Sequence, residues 1–304
     1  ADSEFVEQGS VLHIKRALAA EKLNQFLVAR TDAAMLQPQL ENVVQEGRSL
    51  KLSSANASAT DPFIFDQDFD VCQPLQANDI EVEVQATSLD SHDIGVLHGE
   101  QPTGKLAQGC AGIVKRTGTH VDHFAVGDRV VAWCPNSFAT QVRLSAASAH
   151  KIPKAVAFDV AATLPPAHAT AQYALSHVAR LETGETVFIH EAADAVGQAA
   201  VAIASKIGAK IFVTVRSEEE RTLLTEKYGI DSACIFSSDD LKFVVALRRA
   251  TRGRGVDVVL NTMAGEALQA TFSCVAPFGR LVNLNTQGNE RLEMAPFERS
   301  VSFV

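Results

Sequence analysis

The chain has 304 residues, 46% of them hydrophobic and 21% charged, with a net charge of -9. It is long enough for one large or two medium domains of ordinary globular composition. The acidic balance without any basic block argues against nucleic acid or anionic membrane as partner, and no apolar run reaches membrane-helix length.

Residues 1–60 read as an irregular run-in: a short strand in "VLHIKRAL" (Val11 to Leu18), a helix over Ala19 to Arg30 and a polar loop over Ser53 to Asp61. From Asp79 the pattern alternates with period two. "DIEVEVQATSL" (Asp79 to Leu89), "GCAGIVKRTG" (Gly109 to Gly118), "GDRVVAWC" (Gly127 to Cys134) and "FATQVRLS" (Phe138 to Ser145) predict short strands between Gly, Pro and Asp turns. A barrel-like domain over residues 61–165 follows. Asp159 is placed as the cap of a short helix that stops before Pro165, ahead of a longer helix.

Residues 166–304 change texture. Strands at Thr186 to His190, Lys210 to Val215, Ala233 to Phe236, Val256 to Asn261, Gly279 to Asn285 and Ser300 to Val304 alternate with helices. Helices are predicted at Val196 to Ile207, Ser217 to Gly229, Asp239 to Thr251 and Gly265 to Val275. Near-continuous apolar strands alternating with helices predict an α/β, doubly wound parallel sheet of Rossmann type. The last strand looks cut, and the chain is expected to be a piece with its C-terminus truncated.

The five cysteines, Cys72, Cys110, Cys134, Cys234 and Cys274, are scattered and odd in number. They form no C-x-x-C pair, and the nine histidines do not cluster with them, so no metal is expected. Reduced core thiols of a cytoplasmic protein are the plain reading.

The first strand–loop–helix of the parallel domain passes through "HEAADAVGQ". A dinucleotide loop needs glycines for the tight turn, for backbone approach to the diphosphate and for close helix–strand packing. Here Asp194, Ala195, Val196 and Gly197 occupy that loop, and Gly197 alone of the glycines remains. Asp194 puts a carboxylate where a diphosphate would lie. Its side chain is also placed to cap the helix, taking the amides a phosphate would use, and that reading is preferred over a phosphate cradle. Past the second strand, Arg216, Ser217 and Arg221 favour the extra phosphate of NADP, whereas Glu218, Glu219 and Glu220 oppose it.

Several motifs together resemble the enoyl reductase domain of polyketide and fatty acid synthases. They are "AATLPPAHATAQYAL", "GDRVVAWCPNSFATQVR", "FIHEAADAVGQAA", "GRGVDVVLN", "MAGEAL", "CVAPFGRLV" and "FERSVSFV". The N-terminal "GSVLHIKR" resembles the run-in of fungal highly reducing polyketide synthases. The resemblance covers nearly the whole chain. It implies a zinc-free medium-chain dehydrogenase/reductase fold, and in active members NADPH-dependent reduction of an enoyl thioester held on an acyl carrier protein.

Against that family pattern the chain departs at matched positions. Asp194 and Ala195 stand for two glycines, Glu220 for a lysine, and Asn285–Thr286 for Gly–Lys. In "LDSHD", Asp90 and Ser91 stand for an Asn and an aromatic; Ala107, Gly109 and Asn136 stand for Gly, Glu and Gly. The resemblance therefore points to a silent, pseudo-enoyl-reductase domain of the kind in lovastatin-type synthases, which use a trans-acting reductase. No bound cofactor is expected, with NADPH the coenzyme if the domain is active. The implied partners are the other domains of the synthase, an acyl carrier protein, a trans-acting enoyl reductase and a second copy in a homodimer.

Vestigial catalytic candidates are Asp93, Ser91 and His92, each with a plainer reading as a turn, a cap or a solvated loop. Lys105 reads as surface. His190 and Glu191 resemble a metal pair only on paper, and Tyr173 with His168 is expected to pack the interdomain helix. An active enzyme and a stand-alone quinone-type reductase are the competing readings.

Overall fold

The computed structural model describes residues 5–8, 11–14, 42–45, 47–53, 64–97, 106–285, 292 and 294–304. The expected helix at 19–30, the polar loop at 54–61, Lys105 and Thr286 lie outside the described residues, as do the side chains of Ser91, His92 and Cys72.

Two small hairpins come first. β1 (Phe5–Gln8) pairs antiparallel with β2 (Val11–Ile14), and β3 (Leu50–Ser53) with β4 (Ile64–Gln67). β3 is stitched to the next domain through Leu52 N–H to the Phe138 carbonyl at 2.8 Å and Thr140 N–H to the Leu50 carbonyl at 2.8 Å.

The substrate-domain sheet contains β5 (Asp79–Thr87), β6 (Gly109–Thr117), β7 (Arg129–Trp133), β8 (Gln141–Ser145) and β9 (Ala149–Lys151). They are antiparallel in the order β8-β5-β6-β7-β9. The period-two pattern has the expected cause: Ile80, Val82, Cys110, Val114, Val130, Ala132, Val142 and Leu144 point inward into one cluster. α1 (Ser91–Leu97) follows β5.

α2 (Phe158–Ala162) and α3 (Leu164–Gln172) bridge the domains. Pro165 and Pro166 sit in the first turn of α3, where a missing N–H costs nothing, so the prolines open this helix and do not merely end the one before. Asp159 is not the α2 cap: Ala157 holds that position without a side-chain bond, and Asp159 accepts from the neighbouring Val160 N–H at 2.8 Å. Ala161 and Ala162 pack on Ala111 of β6. Ala167, Ala171, Ala174 and Leu175 pack instead into the core of the nucleotide domain. The expectation for Tyr173 and His168 was wrong. Both are exposed, Tyr173 at 64%, and Tyr173 stacks on His177 at 5.7 Å. The helical spacing of the alanines sets the buried stripe, and both rings lie off it.

The nucleotide domain is a six-stranded, all-parallel sheet. Its strands are β10 (Thr186–Ile189), β11 (Lys210–Val215), β12 (Ile235–Ser237), β13 (Val256–Asn261), β14 (Val275–Asn283) and β15 (Ser302–Phe303), in the order β12-β11-β10-β13-β14-β15. α4 (Ala195–Ile207), α5 (Glu218–Tyr228), α6 (Lys242–Ala250) and α7 (Gly265–Ser273) connect them. The strands read as unbroken apolar runs because both faces are covered: Val187 and Ile189 enter one core, and Phe188 between them enters the other. Phe188, Phe212, Phe243 and Phe272 fill that second core, each contributing about 1.5–3 kcal/mol by leaving water. No helix among the described residues is long and apolar enough to cross a membrane.

Candidate functional site

β10 and β11 run parallel with Ile189 opposite Val213. Their carboxyl ends therefore finish side by side, and the loop Glu191–Asp194 faces Arg216, the first residue past β11. Ligands of open α/β sheets bind at this edge.

His190 closes β10. Its Nδ1 lies 3.1 Å from Thr214 Oγ1 and its Nε2 lies 2.8 Å from Thr271 Oγ1. Burial lowers the imidazole to about 3, so it is neutral and structural. Among the described residues no group of three His, Cys, Asp or Glu side chains is placed to hold a metal.

Glu191 adopts the left-handed backbone at φ 48°, a conformation that costs a non-glycine residue about 1–2 kcal/mol. Its N–H donates to Thr214 Oγ1 at 3.0 Å and its carboxylate accepts from Thr262 Oγ1 at 2.7 Å. Those bonds fix the other carboxylate oxygen 3.6 Å from Arg216 Nη1.

Asp194 holds the N-cap position of α4 with extended φ and ψ, but it does not cap. Its carboxylate is bonded to Arg216 Nη2 instead. The predicted cap is corrected for a physical reason: the guanidinium carries a full positive charge, whereas the helix amides carry only partial ones, so it holds the carboxylate more strongly. α4 thus begins without a side-chain cap, behind an aspartate whose carboxylate is held by Arg216.

Glu220 completes the ring. One carboxylate oxygen accepts the Arg216 N–H at 2.7 Å, and the other lies 3.4 Å from Arg216 Nε. Ser217 caps α5 by accepting the Glu220 N–H at 3.3 Å, which fixes the helix turn that presents Glu220. Arg221 is not brought to this mouth. It bonds Glu218 at 3.2 Å and the Ile235 carbonyl at 2.9 Å, on the β12 side.

One guanidinium is therefore enclosed by Glu191, Asp194 and Glu220, leaving two net negative charges where a dinucleotide's phosphates would lie. The Asp194 carboxyl sits above its ordinary range. Burial pushes it up, Arg216 pulls it back, and the Glu191 and Glu220 charges push it up again.

Gly197 keeps its packing role. A Cβ there would lie 2.5 Å from the Glu191 carbonyl and 2.6 Å from Ala192 Cα. Gly197→Ala is expected to lower the unfolding free energy by about 1–3 kcal/mol through overpacking, read as a fall in the urea midpoint. An unchanged midpoint would mean that helix and loop separate freely.

On the substrate side Asp93 is fully buried and committed. One oxygen accepts the Ala107 N–H at 2.7 Å and the other the Asp90 N–H at 3.0 Å, while Asp90 accepts the Asp93 N–H at 3.1 Å. This clasp ties α1 to the loop before β6, a turn role. Ala107 and Asn136 both lie in the left-handed region, at φ 48° and 65°, where the family pattern has glycine. Asn tolerates this conformation well, and Ala107 holds it under strain. At Gly109 a Cβ would meet the Ala162 carbonyl at 2.8 Å, so α2 closes the space a glutamate would need.

One favourable feature for a ligand escaped sequence reasoning. Asn261, at the carboxyl end of β13, is fully buried. Its Nδ2 donates to the Met263 carbonyl at 2.7 Å and to Asn283 Oδ1 at 2.8 Å, but its Oδ1 has no partner among the described residues. That orphaned acceptor suits a donor entering at the sheet edge. The test for NADPH is thus split. The Asn261 end offers a free acceptor, whereas the carboxylates around Arg216 at the other end oppose phosphate charge.

Residues 76–175 match the family model for the alcohol dehydrogenase GroES-like domain, and residues 195–302 match that for zinc-binding dehydrogenase. The solved CurK enoyl reductase superposes with a TM-score of 0.74 at 32% identity, covering 84% of this chain and 80% of that one. The chain belongs to the enoyl reductase branch of the medium-chain dehydrogenase/reductases. A second such enoyl reductase, JamJ in its apo form, gives a TM-score of 0.72 at 25% identity, over 84% of this chain and 80% of that chain. In sequence, this enoyl reductase chain is 38% identical over 306 residues to the highly reducing polyketide synthase curS1 of Aspergillus terreus. It is 40% identical over 310 residues to the hybrid PKS-NRPS synthetase pynA of Aspergillus niger. Each alignment covers 99% of this chain but only 13% and 8% of those proteins.

Proposed function

We propose that this chain is the enoyl reductase domain of a reducing polyketide synthase and that it no longer binds NADPH. It serves as a structural and docking element among the other domains and the acyl carrier protein, pairs across a two-fold axis, and leaves enoyl reduction to a trans-acting reductase. The observation that carries the reading is the capture of Arg216 by Glu191, Asp194 and Glu220. The guanidinium that suits a 2′-phosphate is already neutralised, and the excess charge repels a diphosphate. Loss of a site while the core persists is physically easy, because packing tolerates substitutions that charge and backbone access do not.

A second reading, an active NADPH-dependent enoyl reductase acting on carrier-bound enoyl thioesters, is favoured by the orphaned Asn261 acceptor. Fluorescence titration with NADPH decides between them. No saturable binding is expected up to about 1 mM, an affinity weaker than about -4 kcal/mol. Micromolar binding accompanied by reduction of a crotonyl thioester would establish the second reading.

A further inference from the structure

The nucleotide domain has a second concave site at the opposite edge of its sheet. α6 and α7 return from the strands' carboxyl ends and finish at the amino-terminal edge. There α6 presents Arg248, α7 ends at Ser273, and the 3-10 turn Ala295–Arg299 closes against them. Arg248, Ser273, Ala295, Pro296 and Arg299 line a cavity of about 210 Å³.

Arg248 Nη2 lies 3.5 Å from the Ser273 carbonyl oxygen and 3.4 Å from the Ser273 hydroxyl. Arg299 Nη2 lies 3.3 Å from the same carbonyl. Neither arginine makes an ion pair among the described residues, where ten other Lys and Arg side chains do. Capping the end of α7 accounts for one guanidinium. It does not account for a second, because two like charges converging on one oxygen repel. Each guanidinium has five donors in a fixed fork, and the bonds just described engage one nitrogen of each.

We propose that this pocket binds a phosphate group. Two guanidinium forks match a tetrahedral dianion in charge and geometry, whereas one planar carboxylate satisfies a single fork. The Ser273 hydroxyl already donates to the Ala270 carbonyl at 2.7 Å, so the arginines supply the donors. Free phosphate and a phosphate ester share this chemistry. The site is separate from the Arg216 mouth, and its fate does not depend on whether NADPH binds.

The test is titration of the full chain with inorganic phosphate at fixed ionic strength, followed by amide chemical shifts and calorimetry. Saturable binding is expected, with shifts at Ser273 and Ala295–Arg299. Arg248→Gln and Arg299→Gln are each expected to weaken it by about tenfold or more, the loss of a charge-assisted contact. Ala295→Glu, which leaves both arginines in place, is expected to abolish it without altering the circular dichroism spectrum. A phosphoserine peptide that binds more tightly than phosphate identifies an ester as ligand, and equal binding identifies free phosphate. The proposal is overturned by unsaturable shifts, by full affinity in both arginine variants, or by acetate competing as well as phosphate.

Discussion

Replacing Glu191 by alanine, Asp194 and Ala195 by glycine and Glu220 by lysine is expected to raise NADPH affinity by on the order of 100-fold or more. Two like charges ~4 Å apart repel by about 1 kcal/mol in water and about 4 kcal/mol at an intermediate dielectric. The variant removes three carboxylates from around Arg216 and adds one cation, and about 1.4 kcal/mol is a factor of ten in affinity. Gly at 194 and 195 also gives the diphosphate room to approach the backbone and the uncapped amides at the start of α4. The single Asp194→Gly variant leaves Glu191 and Glu220 on the guanidinium, so its gain is expected to be the smaller part. The freed Arg216 should make the variant prefer NADPH over NADH, and adding Arg216→Ala should erase that preference alone. Calorimetric titration of both coenzymes reads each of these effects. No gain in the four-site variant would mean that charge is not the obstacle, and the space closed by α2 over Gly109 would become the better explanation.

The fold was legible because its signals are local. Alternation marked β5 to β8, unbroken apolar runs separated by helices marked the parallel sheet, and Gly197 announced its packing role. Asp194 was legible as a misfit but not in its partner. A linear reading compares an aspartate with the amides next to it and finds a cap. Only the parallel register of β10 with β11 brings Arg216, twenty-two residues on, within reach. Glu191 was dismissed as half of a metal pair for the same reason, although two residues beyond the Ile189–Val213 pairing it faces the end of β11. Arg221 looked equivalent to Arg216 in the sequence, yet one position around a helix turns it toward β12. Asn261 had no signal at all, since an unsatisfied oxygen is a property of everything packed around it. Tyr173 and His168 misled because aromatic rings attract a packing role, while small alanines let two helices approach.

His190 is expected to make this chain acid-labile well before its carboxylates do. In the unfolded chain an imidazole titrates near 6.5, whereas burial lowers it to about 3 in the folded chain. Below pH ~6.5 the unfolded state therefore binds a proton that the folded state refuses. Stability from this group is fully present above that value and falls as pH drops toward about 3, by about 1.4 kcal/mol per unit. Asp257 acts in a lower window. Burial pushes its carboxyl up, but hydrogen bonds from Arg254 and Thr186 over-compensate and leave it lowered to about 2. Its contribution is present above ~4 and is lost only as pH falls through about 2. Between pH ~6.5 and ~4 the histidine thus outweighs Asp257, and its effect reaches about 3 kcal/mol. His190→Gln keeps hydrogen-bonding groups near Thr214 and Thr271 while removing the titration. The variant is expected to be less stable at pH 7.5, through imperfect packing against Phe188 and Phe243, yet to lose much less on acidification. Urea unfolding of both proteins at pH 7.5, 6.0, 5.0 and 4.5 measures the slopes, and their difference cancels every group the two share. Parallel slopes would mean that the imidazole takes up its proton in the folded chain, by opening the contacts to the two threonines.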